Sequence, residues 1–558
     1  MTGQTGRAKP VITLMALLWL LSPANHAVAG MKEVAVAHAI TPSGEPIALH
    51  RGIYEIELRT SKPITDPYFG VRIQVMFYRP DGTEVRVDGF YDGSDIFRAR
   101  AYCDTVGQWQ WSTRSNWPSL DGKQGAFKVV SSSLPGKLRQ HASDSRQFAY
   151  DDGTWFLHLG DTGYRYVVDD EPHWQAYIDQ AAKMGATKIR TWFCRSRHGI
   201  EALFDKDRSG LDLAYWREID RRIAYASEHH PTVMLQLIPF GEDTEELKRY
   251  ARGDRASIMA IRYAQARFSA YPNILWCISN DREIVDSDKP LTGRQIRAET
   301  IDLIGRDMAK RKPWRTLITN HQSRFKGYRF VDAPWSDIIT LEDLDQTSGK
   351  VITAYRAQGN DPIVLDEDRY ELYRAPKHPR YFFRRLMWSS LLSGGSATYG
   401  GLRTYEPKES MAAKPQDMKH PAGQGVYGYY DAVSQGQLKR GADDFVHIHQ
   451  FFSDASLTLV GLLPDDAIVG GDSAKWKCTH SDKVFIVYLA NPSGSSPESD
   501  QPSARPPSVT VQVPDGRFSV QWFQPKTAAW TDGNTSVGGA QSFLAPDSGD
   551  WILLLRSI

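Results

Sequence analysis

Three observations in the amino-acid sequence predict a multidomain chain with a central (β/α)8 barrel between two β-sandwiches. Short alternating strand patterns fill Ile53 to Val130, apolar strands then alternate with amphipathic helices as far as Phe452, and strand patterns alone return after it. At about 150 residues per domain, 558 residues suit one large barrel with smaller companions.

The opening residues stand outside that fold. Arg7 and Lys9 precede an apolar run from Val11 to Leu21, and Ala27-Val28-Ala29 offers small residues for cleavage. Residues 1–29 are therefore expected to be a signal peptide, and the mature protein to be secreted or periplasmic. The run is about half the ~20 residues a spanning helix needs, and no later segment is long and apolar enough, so no membrane span is expected.

Residues 30–135 read as a β-sandwich. "YEIELRT", "VRIQVMFYRP", "TEVRVDGFY", "FRARAYC", "GQWQWST" and "GAFKVV" alternate in polarity, and Asp81-Gly82, Asp92-Gly93 and Asp121-Gly122 mark turns between them. "SSSLPGK", Ser131 to Lys137, reads as a linker.

Residues 136–452 carry the barrel pattern. Strands are expected to end at Gly160, Phe193, Ile238, Ser279, Asn320, Glu342, Asp366 and Gly400, with helices over Trp174–Met184, Tyr215–Glu228, Ile258–Ala270, Arg294–Lys310 and Tyr381–Leu392. Eight such units fit a (β/α)8 barrel of ~250 residues plus insertions. An open doubly wound sheet is the rival, but no Gly-x-Gly-x-x-Gly follows the first strand to support it. In residues 453–558, "LTLVGLL", "KVFIVYLA", "SVTVQV", "FSVQWFQP" and "DWILLLR" predict a second sandwich.

Composition narrows the partners. Formal charge is +1, and loss of Arg7 and Lys9 with the signal takes it to −1, so nothing favours nucleic acid or an anionic membrane. Cys103, Cys194, Cys277 and Cys478 are too few and scattered for a disulfide framework, and no Cys-x-x-Cys suggests a metal; no cofactor is expected. Sixteen tryptophans are compatible with flat sugar rings as partners, although most such side chains fill cores.

Barrel active sites lie at the C-terminal ends of the strands. The residues just past each strand are Asp161, Arg195, Glu242, Asn280 with Asp281, His321, Glu342 and the run Asp366-Glu367-Asp368. The bland reading of this ring is a solvated rim. The sharper one takes the acids after the fourth and seventh strands as a facing pair, as glycoside hydrolysis requires: one protonates the leaving oxygen and the other attacks the anomeric carbon or activates water. Asp281 would be the acid/base, its pKa raised by apolar walls and the opposing acid, with Asn280 donating to a ring hydroxyl. Alternation puts Ile363, Leu365 and Glu367 on one face, which favours Glu367 as nucleophile, with Asp366 as the local rival.

At these residues the chain resembles the apiosidase-like family of (β/α)8 glycoside hydrolases, in the architecture with an N-terminal immunoglobulin-like domain and a C-terminal "collagen-binding" β-sandwich. The carriers are "DGFYDGSDIFRARAYCDTVGQWQWST", "LDGKQGAFKV", "FLHLGDTGYRYV", "NILWCISND", "PIVLDEDRYE", "GGSATYGG", "WFQPKTAAW" and "PDSGDWILLL". The resemblance implies Asp281 as acid/base, Glu367 as nucleophile, Asp161 and Tyr399 near the sugar subsite, and Arg190 beside the nucleophile. The chain departs from it where Ser279-Asn280 precede the aspartate and Asp368 follows the glutamate, which bears on the sugar more than on the reaction. Residues and resemblance together lead to an exported hydrolase acting by retention on a plant or algal type polysaccharide or oligosaccharide, with His321 and Glu342 also lining the site. The alternative is a non-catalytic carbohydrate-binding or surface scaffold protein on the same fold.

Overall fold

The computed structural model describes residues 39–40, 44–169, 174–194, 200–286, 290–324, 327–370, 374–400, 440–470 and 475–558. The expected signal segment, Arg195 and residues 401–439 lie outside these.

Two packed sheets form the N-terminal domain. Ala39–Ile40, Pro46–Leu49, Gln124–Val130, Gly107–Ser115, Ile73–Tyr78 and Glu84–Asp88 make one, in that order; Ile53–Arg59, Ile96–Tyr102 and Phe90–Tyr91 make the other. Polarity alternation decides which side chains enter: Val85 and Val87 are buried between exposed Glu84, Arg86 and Asp88. Tyr54 stacks on Phe127 of the opposite sheet with ring centroids 3.7 Å apart.

The barrel strands are β1 (Leu159–Thr162), β2 (Lys188–Trp192), β3 (Met234–Ile238), β4 (Ile274–Cys277), β5 (Ile318–Thr319), β6 (Ile339–Glu342), β7 (Ile363–Glu367) and β8 (Ser396–Tyr399). All eight expected strands are present. They pair in parallel in the order β5-β4-β3-β2-β1-β8-β7-β6, which leaves one seam, between β5 and β6. Single bonds close it: Asp337 N–H donates to Ile318 O at 2.8 Å and the Thr319 and Thr340 hydroxyls lie 2.7 Å apart.

Around the strands stand α1 (Trp174–Lys183), α2 (Leu213–His229), α3 (Thr244–Ala251), α4 (Arg255–Phe268), α5 (Ala298–Lys310), α6 (Lys350–Arg356), α7 (Pro379–Leu392) and α8 (Phe445–Asp454). Asp212, Asp243 and Asp254 cap α2, α3 and α4 by accepting from first-turn N–H groups. Two expectations shift. The fifth helix starts at Ala298 rather than Arg294, because Gln295–Arg297 pairs in parallel with Glu283–Val285. Trp155-Phe156, expected in the first barrel strand, instead completes a small sheet with Leu138–His141 and Asp144–Tyr150.

That small sheet seals the barrel floor. Leu138, Phe148 and Phe156 pack against Met234, Leu275, Leu317, Ile338 and Val364. Above that floor the filling turns polar: Lys188, Gln236, Asp366 and Thr398 are all buried there. The gradient from an oily floor to a charged mouth positions the site described below.

The expected second sandwich is a single sheet of eight strands wrapped around the long strand Ser508–Gln524, whose register shifts between Val513 and Arg517. One face encloses Val487, Val511, Val520, Trp522, Leu553 and Leu555. The other joins the barrel, where α7 delivers Arg384 to Asp550 (2.6 and 2.7 Å) and Asp444 (2.6 Å). No helix among the described residues is long and apolar enough to cross a membrane.

Candidate active site

β2 and β7 set the centre. Arg190, fully buried on β2, donates through Nη1 to Glu367 Oε2 (3.2 Å) and through Nη2 to Asn280 Oδ1 (2.6 Å). One guanidinium therefore ties the end of β7 to the residue beyond β4. Tyr164 Oη donates to the same Glu367 oxygen at 3.0 Å and lies 3.5 Å from Asn280 Nδ2. Its ring stacks on Trp192 at 4.4 Å, and Tyr370 Oη donates to Tyr164 Oη at 3.4 Å.

Glu367 reaches the mouth by a different route from the one alternation suggests. Ile363 and Leu365 belong to the core on the helix side, whereas Val364 and Asp366 face the barrel axis. The β6–β7 register then slips: Leu341 pairs with Leu365, but Glu342 pairs with Glu367. Asp366 is the extra residue, and the bulge brings the next side chain round into the mouth. Asp366 itself is locked below, accepting from Lys188 Nζ, Gln236 Nε2 (2.8 Å) and Thr398 Oγ1 (2.6 Å). Burial, despite Asp366, brings the Lys188 ammonium down to about 8.

Asp281 leaves β4 in the left-handed region, with φ of 50°. Such a conformation is uncommon outside glycine, costs about 1–3 kcal/mol, and clusters at functional sites. Around Asp281 stand His321, whose Nδ1 lies 3.5 Å from Oδ1, Arg294 at 3.7 Å from Oδ2, and Glu342, with a carboxyl oxygen within 4.8 Å. Arg324 Nε donates to Glu342 Oε1 at 2.7 Å.

The electrostatics correct one expectation. Asp281 is expected to carry a raised pKa; burial does push it up, but the contact with Glu342 and the charges of Arg294 and Arg190 outweigh that and hold it at about 2. The rise falls on its neighbours. Burial, then Asp281 and Glu367, drive Glu342 well above the usual carboxylate range, against Arg324. Burial and Asp281 raise Glu367, against Arg190 and Tyr164. Burial and Arg190 lower His321 to about 3, so its imidazole is neutral.

Of the sequence-predicted residues, Asp281, Glu367, Arg190, Asn280, His321 and Glu342 come together at the mouth. Asp161 and Tyr399 do not, because on β1 and β8 both side chains turn to the helix layer. Asp161 accepts from Tyr177 Oη of α1 at 2.8 Å, and the Tyr399 ring packs edge-on to Phe383 of α7 at 4.7 Å. Sequence reasoning missed Tyr164, Tyr370, Lys188 and Arg324. Tyr164 and Tyr370 each stand three residues past a strand-end acid, in "DTGY" and "EDRY", which was the available signal. Asp281, His321 and Glu342 offer donor atoms within 4.8 Å of one another, a grouping no sequence spacing disclosed. Arg324 and Arg294 bring positive charge to those carboxylates.

Residues 142–457 match the family described as "Apiosidase-like, catalytic domain". The chain belongs to the apiosidase-like family. It is accordingly a glycosidase in class, and residues 52–116 of its N-terminal domain match a domain of unknown function (DUF5060). None of the curated proteins searched matches. Among solved structures, a candidate glycoside hydrolase of Bacteroides vulgatus ATCC 8482 aligns over 92% of this chain and 100% of its own, with 17% identity and a TM-score of 0.67. A glycoside hydrolase family 5 protein of the same organism covers 76% of this chain and 94% of its own (14% identity, TM-score 0.58). A third, named simply as a glycoside hydrolase, covers 76% and 98% (16% identity, TM-score 0.55). At these identities the likeness shows the fold, and the apiosidase-like chemistry is argued from the mouth itself.

Proposed function

We propose that this apiosidase-like protein is an exported, retaining glycoside hydrolase of plant or algal type glycans, with Glu367 as nucleophile and Asp281 as acid/base. The observation that carries the reading is the single Arg190 guanidinium bound to both Glu367 and Asn280, which joins the β7 acid to the segment holding the β4 acid.

In the first step Glu367 attacks the anomeric carbon while the glycosidic C–O bond breaks and the leaving oxygen takes a proton from Asp281. In the second, Asp281 removes a proton from water, whose oxygen attacks the anomeric carbon and frees Glu367. Arg190 and Tyr164 favour the anionic form that the nucleophile must have. Asp366 is the weaker candidate for attack, since both of its oxygens already accept from groups of the barrel interior. Asn280 keeps its amide N–H groups only loosely engaged, at 3.5 Å from Tyr164 Oη and Glu242 Oε1, and can turn them to a sugar hydroxyl.

The test is a panel of plant and algal glycans, with the product anomer followed by NMR. Retention with loss of turnover in E367Q supports the reading; inversion, or full turnover in E367Q, refutes it.

A further inference from the structure

We propose that Glu342 is the positioning residue of the acid/base: across the ends of β4 and β6 its carboxyl shares a single proton with Asp281 and delivers it to Asp281 for the first step. The inference rests on Asp281 being the acid/base and adds where its proton resides.

The geometry begins with two buried oxygens. Asp281 Oδ1 and Glu342 Oε2 find no ordinary donor among the described residues, and a buried oxygen left without one costs about 1–3 kcal/mol. Yet the two carboxyls bring oxygens within 4.8 Å of one another. Ionised carboxylates only accept, so a bond between them requires one proton, and that proton satisfies both orphans at once.

Among the described residues no other neighbour supplies it. His321 Nδ1 accepts from the Asp281 backbone N–H at 3.4 Å, which leaves that nitrogen without a proton to give to Oδ1. Arg294 addresses the other Asp281 oxygen, at 3.7 Å. Arg324 is committed to Glu342 Oε1. Arg190 is divided among Asp366 O, Glu367 and Asn280. Glu367 adds a like charge, which opposes ionisation of all three acids together.

Burial and like charge, working against the Arg324 contact, put the proton on Glu342 at rest. Glu342 is the carboxyl raised by burial and by its two acidic neighbours, so the free enzyme holds Glu342–COOH beside Asp281–COO⁻. Transfer gives Glu342–COO⁻ beside Asp281–COOH, with Arg324 stabilising the new anion. Asp281 then protonates the leaving oxygen. In the second step it takes a proton from water and returns it to Glu342 as product departs, so the pair ends as it began. Asp281, held low by its contact with Glu342, keeps no proton of its own near neutral pH, so the proton it passes to the leaving oxygen is the one that Glu342 stores.

The experiment is infrared difference titration of the full chain, which reads the carbonyl stretch of protonated carboxyls without any substrate. In a D368N background, which removes the carboxyl that burial raises to about 7, the otherwise wild-type chain and E367Q are expected to show a protonated carboxyl at neutral pH, and E342Q to lack it. Absence of the band in the otherwise wild-type chain, or its persistence in E342Q, overturns the proposal. On a glycan the enzyme hydrolyses, the basic limb of the pH–rate profile in E342Q should move down by about one pH unit or more, with turnover regained on the acid side. An equal loss at every pH would mark Glu342 as merely structural and also overturn it. D281A tests the underlying reading separately: if Asp281 is the acid/base, azide restores turnover and a glycosyl azide of retained configuration forms. Failure there with the band intact removes the acid/base assignment and leaves the shared proton standing.

Discussion

Two buried ionic clusters in this chain use the same residue types to opposite ends. At the seam between the N-terminal domain and the barrel, Arg100 reaches Asp220 through Nη1 (2.8 Å) and Nη2 (2.7 Å) and Glu55 through Nε (2.7 Å). Arg267 Nε adds a bond to Asp220 at 2.9 Å, and Tyr271 Oη another at 2.7 Å. Against the pull of burial, the two guanidiniums hold Asp220 far below the usual carboxylate range. At the mouth, three carboxyls crowd together, two of their oxygens lack a donor among the described residues, and Glu342 and Glu367 rise. A cluster whose charges are matched joins two domains; one whose charges are left mismatched is held ready for proton transfer.

Breaking each cluster should produce different losses. The largest is expected in E367Q, where removing the attacking oxygen should lower kcat by about 10⁴-fold or more, with the melting temperature of wild type retained. A large fall in melting temperature alongside the activity would mean that Glu367 belongs to the scaffold instead. Next comes Asp220→Ala at the seam. Stranding Arg100 and Arg267 without their shared partner should cost about 3–5 kcal/mol, read from urea unfolding, while the fraction that folds keeps its kcat. Smaller again is Tyr164→Phe, which removes the hydroxyl donated to Glu367: a loss of about 10²-fold in kcat with unchanged stability, and KM close to wild type.

Much of the fold was legible because its signals are local. Each barrel strand is a short apolar run between helix-period segments, and that rhythm gave eight strands in order. The site was legible only in part, for two physical reasons. Side-chain direction at strand ends follows the local twist and any bulge: Asp161 and Tyr399 sit at the correct end of their strands and still turn outward, while Glu367 turns inward because Asp366 is an extra residue in the ladder. Proton placement depends on residues distant in sequence. That Asp281 is held low and Glu342 high follows from β4, β5 and β6 meeting, which "NILWCISND" alone does not disclose.

The finest contrast lies in the sign of the pH dependence. Asp220 has a folded pKa below its unfolded one, so the unfolded chain binds more protons as pH falls; the stability it provides is complete above pH ~4 and is lost on further acidification. Glu342 is the reverse. Its folded pKa is raised, so the folded chain binds more protons above pH ~4.5, and stability falls as pH rises from there through the folded value. Replacing each acid by its amide should therefore flatten opposite limbs of the stability curve. D220N should lose most of the acid-side slope that this residue provides. E342Q should match wild type near pH 4 and exceed it by about 1 kcal/mol at neutral pH, since an enzyme that keeps a strained proton donor gives up stability to do so. Urea unfolding of both variants across that pH range reads the difference directly, and an E342Q curve parallel to wild type would show that the mouth carries no more electrostatic tension than the seam.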